Sequence, residues 1–121
     1  MSAVIGDVMP RAKLRAKVEN VELLGDLVLV DGKVLRCSAS EYYLLELMLL
    51  AGPGIVFSPE RFLSELYPNR TPPVSENLVR VRVSAVRRAL KRAGAAVTID
   101  VVIGRGYFLS TPSLSTPEAT R

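Results

Sequence analysis

Between residues 76 and 93, Val79, Val83, Val86 and Leu90 recur at steps of four, three and four. On a helix of about 3.6 residues per turn, that spacing draws one narrow apolar stripe. The remaining surface carries Arg80, Arg82, Arg87, Arg88 and Lys91. A helix with one stripe must lay it on a second layer of structure, and it then presents its charged side outward. The chain therefore has to supply a compact body that holds a basic helix at its edge. Its 121 residues are enough for one such domain with a core of its own.

The net charge is only +4, but its distribution is uneven. Residues 1–18 carry +3, residues 19–75 carry −4, residues 76–106 carry +5, and residues 107–121 cancel. An acidic body flanked by two basic segments suggests an anionic partner that meets part of the surface. The plainer reading is a solvated helix face.

Turn and cap signals divide the rest. Residues 1–18 read as a loose basic arm, in which Arg11, Lys13, Arg15 and Lys17 alternate with apolar residues. A strand extension, a short helix and a disordered tail are all compatible with that pattern. Asp31-Gly32 lies between Leu27–Val30 and Lys33–Arg36, a strong hairpin signal, because a type I′ turn needs positive φ at both central positions. A small antiparallel sheet is expected over residues 21–37. Ser38 and Glu41 form a capping box ahead of Leu44, Leu45, Leu47, Met48 and Leu49. Ser58-Pro59 opens a second helix, closed by Tyr67-Pro68. The striped helix follows, from Ser75 or Glu76 to Ala93, and Gly94 ends it. Two extended segments, 97–103 and 107–109, are joined by Gly104-Arg105-Gly106. Residues 111–121 are rich in Ser, Thr and Pro and read as a disordered tail. The boundaries are thus an arm at 1–18, a folded domain at 19–110 and a tail at 111–121.

Composition removes much chemistry. There is no histidine and one cysteine, so neither a Cys/His zinc site nor a Ser-His or Cys-His nucleophile can be built. No cofactor or metal is expected, and no paired-carboxylate motif suggests an enzyme. Cys37 reads as a small buried hydrophobe. The longest apolar run, Leu47 to Gly52, is far short of the roughly 20 residues a membrane span needs. A soluble cytoplasmic protein without membrane contact is the expectation.

The fold class is α+β: an N-terminal small antiparallel sheet, three helices and a C-terminal β-hairpin. Two helices ahead of a basic third one form a helix-turn-helix, and the hairpin is its wing. At this level of detail the chain resembles the OmpR/PhoB-type winged-helix effector domain of bacterial response regulators. Four stretches carry the resemblance, over roughly residues 20–110: Ser38-Ala-Ser-Glu-Tyr-Tyr-Leu-Leu45, Ser58-Pro-Glu-Arg-Phe-Leu63, Val79-Arg-Val-Arg-Val-Ser-Ala-Val-Arg-Arg-Ala-Leu90 and Gly104-Arg-Gly-Tyr107.

The resemblance implies a transcription regulator that binds double-stranded DNA, with the third helix in the major groove and the wing on the minor groove or backbone. Arg87 stands at a basic phosphate-contact position, Arg82 where the family often has a phosphate-touching histidine, and Val81 where a valine meets a thymine methyl. Arg80 replaces a usual aspartate, Ala85 a base-reading arginine, and Tyr67 the tryptophan that often ends the second helix. Ile103 stands where the wing arginine usually does, with Arg105 two positions on. Base contacts are therefore expected from Arg80, Val81 and Ser84. Phosphate contacts are expected from Arg82, Arg87, Arg88, Lys91 and Tyr67. Arg105 and Tyr107 belong to the wing, where Tyr107 also reads as packing. Pro68, Asn69, Arg70 and Thr71 form the candidate loop for RNA polymerase, and Arg11, Lys13, Arg15 and Lys17 are candidate accessory DNA contacts. The alternative function is a protein-interaction module docking on polymerase or another regulator. The expected state is a monomer in solution or a dimer on direct-repeat DNA. The family normally carries a receiver domain ahead of this one. Met1-Ser2 followed by a basic arm fits a stand-alone effector better than a receiver cut away.

Overall fold

The computed structural model describes residues 14–67 and 75–112, together with the backbone of residues 119–120. It opens with a four-stranded antiparallel sheet in sequence order: β1 (Arg15–Val18), β2 (Val21–Leu24), β3 (Leu27–Val30) and β4 (Lys33–Val34). Two-residue connections set the register, with Val30 opposite Lys33 across Asp31-Gly32. Asp31 and Gly32 have φ of 52° and 81°, the two positive values a type I′ turn demands. Alternation then does the rest: Val21, Leu23, Val28 and Val30 point inward and are buried.

Helix α1 (Ala39–Ala51) begins at the expected capping box. The Glu41 amide donates to Ser38 Oγ at 3.3 Å, and the Ser38 amide donates to Glu41 Oε1 at 3.0 Å. Its residues Leu44, Leu45, Met48 and Leu49 form the centre of the core. After β5 (Ile55–Val56), α2 (Pro59–Leu66) starts with Ser58 Oγ accepting the Arg61 amide at 3.1 Å. Helix α3 (Glu76–Ala93) buries Val79, Val83, Val86, Ala89 and Leu90, which is the stripe read from the sequence with one alanine added. Gly94, at φ 80° and ψ 25°, closes it in a Schellman motif. The Gly94 amide reaches Lys91 O at 3.1 Å, and the Ala95 amide reaches Leu90 O at 2.9 Å.

The C-terminal hairpin pairs β6 (Thr98–Val102) with β7 (Gly106–Ser110), Val102 opposite Gly106. Sheet, three helices and hairpin together make a winged helix.

Two boundaries move. The segment 1–18 is not loose to its end, because Arg15–Val18 pairs with β2. Its alternation buries Val18 and leaves Arg15 and Lys17 exposed, so one apolar edge suffices to dock it. The segment 111–121 is also not a tail throughout. Thr111 is buried, and Ala119–Thr120 forms β8, parallel to β5. Composition carries no sign of this, because the strand partner lies more than half the chain away. Arg11 and Lys13 lie outside the described residues.

Candidate nucleic-acid interface

Helix α3 is held at both edges and at its C-terminal end. On one edge, Arg82 Nη1 lies 3.9 Å from Glu41 Oε2, against the first turn of α1. Among the described residues, Arg82 Nε is buried with no hydrogen-bond partner. On the other edge, Arg87 Nε donates to the carbonyl of Ile99 in β6 at 2.8 Å. At the end, Asn20 acts as a clamp. Its Nδ2 donates to Gly94 O at 3.0 Å and to Asp31 Oδ2 at 3.1 Å, and its Oδ1 accepts from the Ala96 amide at 2.7 Å. These contacts fix the helix without using its outer face.

That outer face is a continuous strip. Asn77, Arg80, Val81, Ser84, Arg88 and Lys91 follow at steps that bring residues onto one side of a helix. Arg80, Arg88 and Lys91 are exposed, Val81 is 48% exposed, and Ser84 is half-buried. Arg80 Nη2 donates to Asn77 Oδ1 at 2.9 Å. Of the expected phosphate contacts, Arg88 and Lys91 stand on this strip, while Arg82 and Arg87 sit on its two borders. Tyr67 does not join them. It packs against the core, and its hydroxyl oxygen is buried. Pro68, Asn69, Arg70 and Thr71 lie outside the described residues.

The wing is anchored by a close approach. Phe57 and Tyr107 exchange backbone hydrogen bonds of 2.8 and 2.9 Å. A Cβ on Gly106 would sit 2.0 Å from Phe57 O, and Gly106 has φ 152°, so glycine is required twice over. Phe62 stacks on Phe57 at 5.1 Å and meets the Tyr107 ring at 6.3 Å. Tyr107 is thus the wing's root. Its tip holds Arg105, exposed, beside Ile103, 91% exposed. Cys37 lies apart from this surface. Burial, and then the carboxylate of Glu41, push its thiol above the usual range, so it stays protonated at neutral pH.

Sequence reasoning missed Asn20, Asn77 and the tethering roles of Arg82 and Arg87. Asn77 carried one usable signal, its position three residues before Arg80 in the first helical turn. The others depend on partners far along the chain. Among the described residues no helix is long and apolar enough to cross a membrane.

The DNA-binding domain of the response regulator AdeR, solved in complex with an intercistronic region, is 24% identical. It aligns over 79% of this chain and 99% of its own, with a TM-score of 0.69. The DNA-binding domain of CpxR from E. coli is 24% identical over 84% of this chain and 100% of its own, with a TM-score of 0.66. The Thermotoga maritima OmpR/PhoB homolog DrrB is 19% identical, with a TM-score of 0.66 over 79% of this chain, which spans only 44% of DrrB. No curated protein sequence matches the chain. The model of the family described as "transcriptional regulatory protein, C terminal" matches residues 32–109, from the turn before β4 through the wing. With well over half its length matched in this way, the chain belongs to that family, the OmpR/PhoB type of winged helix that its four motifs resemble.

Proposed function

We propose that the protein binds double-stranded DNA sequence-specifically as a transcription regulator, with α3 in the major groove and the wing on the minor groove or backbone. The observation that carries this is the outer strip of α3. It is exposed and basic, and among the described residues the polar contacts that fix the helix fall on its borders and its end. An α-helix about 10–12 Å across fits a major groove about 12 Å wide. Arg80, Val81 and Ser84 lie toward the helix N-terminus, the end that reaches base edges in helix-turn-helix proteins. Arg88 and Lys91 follow where the backbone passes, with Arg82 and Arg87 on either side. Arg105 on the wing is placed for a narrow minor groove or a phosphate.

AdeR's complex with an intercistronic region supports the same class of partner here. One copy per half-site, doubled on direct repeats, is the expected stoichiometry. The test is binding to duplexes selected from a random pool, measured by fluorescence anisotropy across a salt series. Affinity should fall steeply with salt, as released counterions require. Arg80→Ala should relax preference at one base position. Uniform, salt-insensitive binding with no enriched motif would overturn the reading.

A further inference from the structure

We infer that Ile103, at the tip of the wing, is an apolar wedge that enters the minor groove and opens a base step there, so that the protein bends the DNA it binds. The inference rests on the wing placement proposed above and deepens it. Ile103 is 91% exposed, the most exposed large apolar side chain among the described residues. A single exposed apolar residue is ordinary on a protein surface. This one stands at the corner of a tight turn. The Arg105 amide donates to Val102 O at 2.9 Å, and Gly104 has φ 82°, the positive value a type II turn needs at its third position. Ile103 and Gly104 are then the two central residues, and a Cβ on Gly104 would meet nothing within 4 Å. The tip is therefore thin and carries one bulky side chain. Val101, two residues earlier in β6, is 54% exposed, so the strand leading to the tip is apolar and exposed as well.

The position of the tip names the partner. Val101, Gly104 and Arg105 line one cleft of about 310 Å³ with Glu60 and Glu76, in the first turns of α2 and α3. The wing thus stands beside the end of α3 that reaches base edges. With α3 in the major groove, the tip meets the adjoining minor groove, and exposed Arg105 brings a positive charge to the phosphates along it. A minor groove about 6 Å wide admits a thin tip. Isoleucine has no side-chain donor or acceptor, so it cannot read the polar floor of the groove. It gains only by covering apolar surface, and a duplex offers that on base faces where a step unstacks. Pyrimidine–purine steps open at the least cost. A wedge must also be stiff, because it has to hold the step apart. The β-branch of Ile103 restricts its own rotation. The turn fixes the tip, and the Phe57–Tyr107 hydrogen bonds fix the root.

The experiment compares wild type, Ile103→Ala, Ile103→Leu and Ile103→Arg. Each selects duplexes from a random pool, and end-to-end fluorescence energy transfer then measures the bend in the bound duplex. Because Ile103 is exposed, all four chains should melt at the same temperature. Wild type should bend the duplex and enrich a pyrimidine–purine step at a fixed distance from the bases that α3 reads. Ile103→Ala should bind roughly ten-fold more weakly, as the loss of a buried aliphatic side chain implies. It should also straighten the duplex and lose the step preference, with the α3 motif and the salt slope unchanged, because no charge is removed. Ile103→Leu should keep the bend. Ile103→Arg should straighten the duplex, raise the salt slope by about one and move the flanking preference to A-tracts, whose narrow minor groove attracts arginine. A bend unchanged in Ile103→Ala, or a straight duplex under wild type, overturns the wedge and leaves DNA binding by α3 intact. If wild type enriches no motif at all, the underlying reading falls with it.

Discussion

Helices α1 and α3 both start after a serine and carry a glutamate in their first turn, yet they are fixed by different means. In α1, Ser38 and Glu41 satisfy each other's amides, and buried leucines pack into the centre of the core. In α3, Ser75 makes no side-chain cap bond, and only one stripe is buried. The helix is placed from outside, by Glu41 beside Arg82, by the Ile99 carbonyl on Arg87 and by Asn20 at Gly94. A helix that has to offer a face to a partner cannot spend that face on packing. Its position is then set from its edges and its end.

This contrast can be broken most forcefully at α1. Leu45→Ala removes a fully buried side chain and should cost about 2–5 kcal/mol of unfolding free energy in urea titrations. Val81→Ala, on the outer strip of α3, should stay within about 0.5 kcal/mol. Next comes the clamp. Asn20→Ala removes three hydrogen bonds and leaves the Ala96 amide and Gly94 carbonyl without that partner. A loss of about 1–3 kcal/mol is expected, with faster hydrogen exchange at the Ala96 amide. If exchange there is unchanged, α3 does not depend on the clamp.

The caps sharpen the comparison further. Ser38→Ala should cost about 1 kcal/mol, while Ser75→Ala, with no cap bond to lose, should cost under about 0.5 kcal/mol. Equal losses would mean that both helix starts are held in the same way. Lys91→Ala should leave stability within about 0.5 kcal/mol and lower the salt slope of DNA binding by about 1. The smallest effect is expected at Cys37. Its folded thiol holds the proton more tightly than the unfolded one, so its contribution is complete at neutral pH and is lost as pH rises past about 8.5 toward the folded value. Cys37→Ser should flatten the alkaline decline in melting temperature relative to wild type.

What was legible in the sequence was local. Asp31-Gly32, Ser38 with Glu41, Ser58-Pro59 and Gly94 each encode their conformation within a few residues, and each stands where its chemistry requires. The stripe on α3 was legible because helical period and burial coincide. The strands at either end were harder to read. β1 is four residues in which basic and apolar side chains alternate, and β8 pairs with a strand more than sixty residues earlier. Within the site, spacing put Arg80, Arg88 and Lys91 off the apolar stripe, whereas Val81 and Ser84 entered through the family resemblance. Arg82 and Arg87 share their chemistry but not their surroundings. Only the folded body shows that Glu41 and Ile99 claim part of each, and that Tyr67 turns its hydroxyl inward.

The Asn20 clamp joins residues 74 and 76 positions apart. Closing so long a loop is an early entropic cost that is recovered only once both ends are in place. During synthesis, the first hairpin would emerge with the Asn20 side chain still hydrated, waiting for residues 94–96 to leave the ribosome. The end of α3 is then locked late, in the same event that joins the beginning of the domain to the base of its wing. A chain truncated before residue 96 would carry the whole basic helix yet lack the latch that aims it, so competence for recognition should arise in one step.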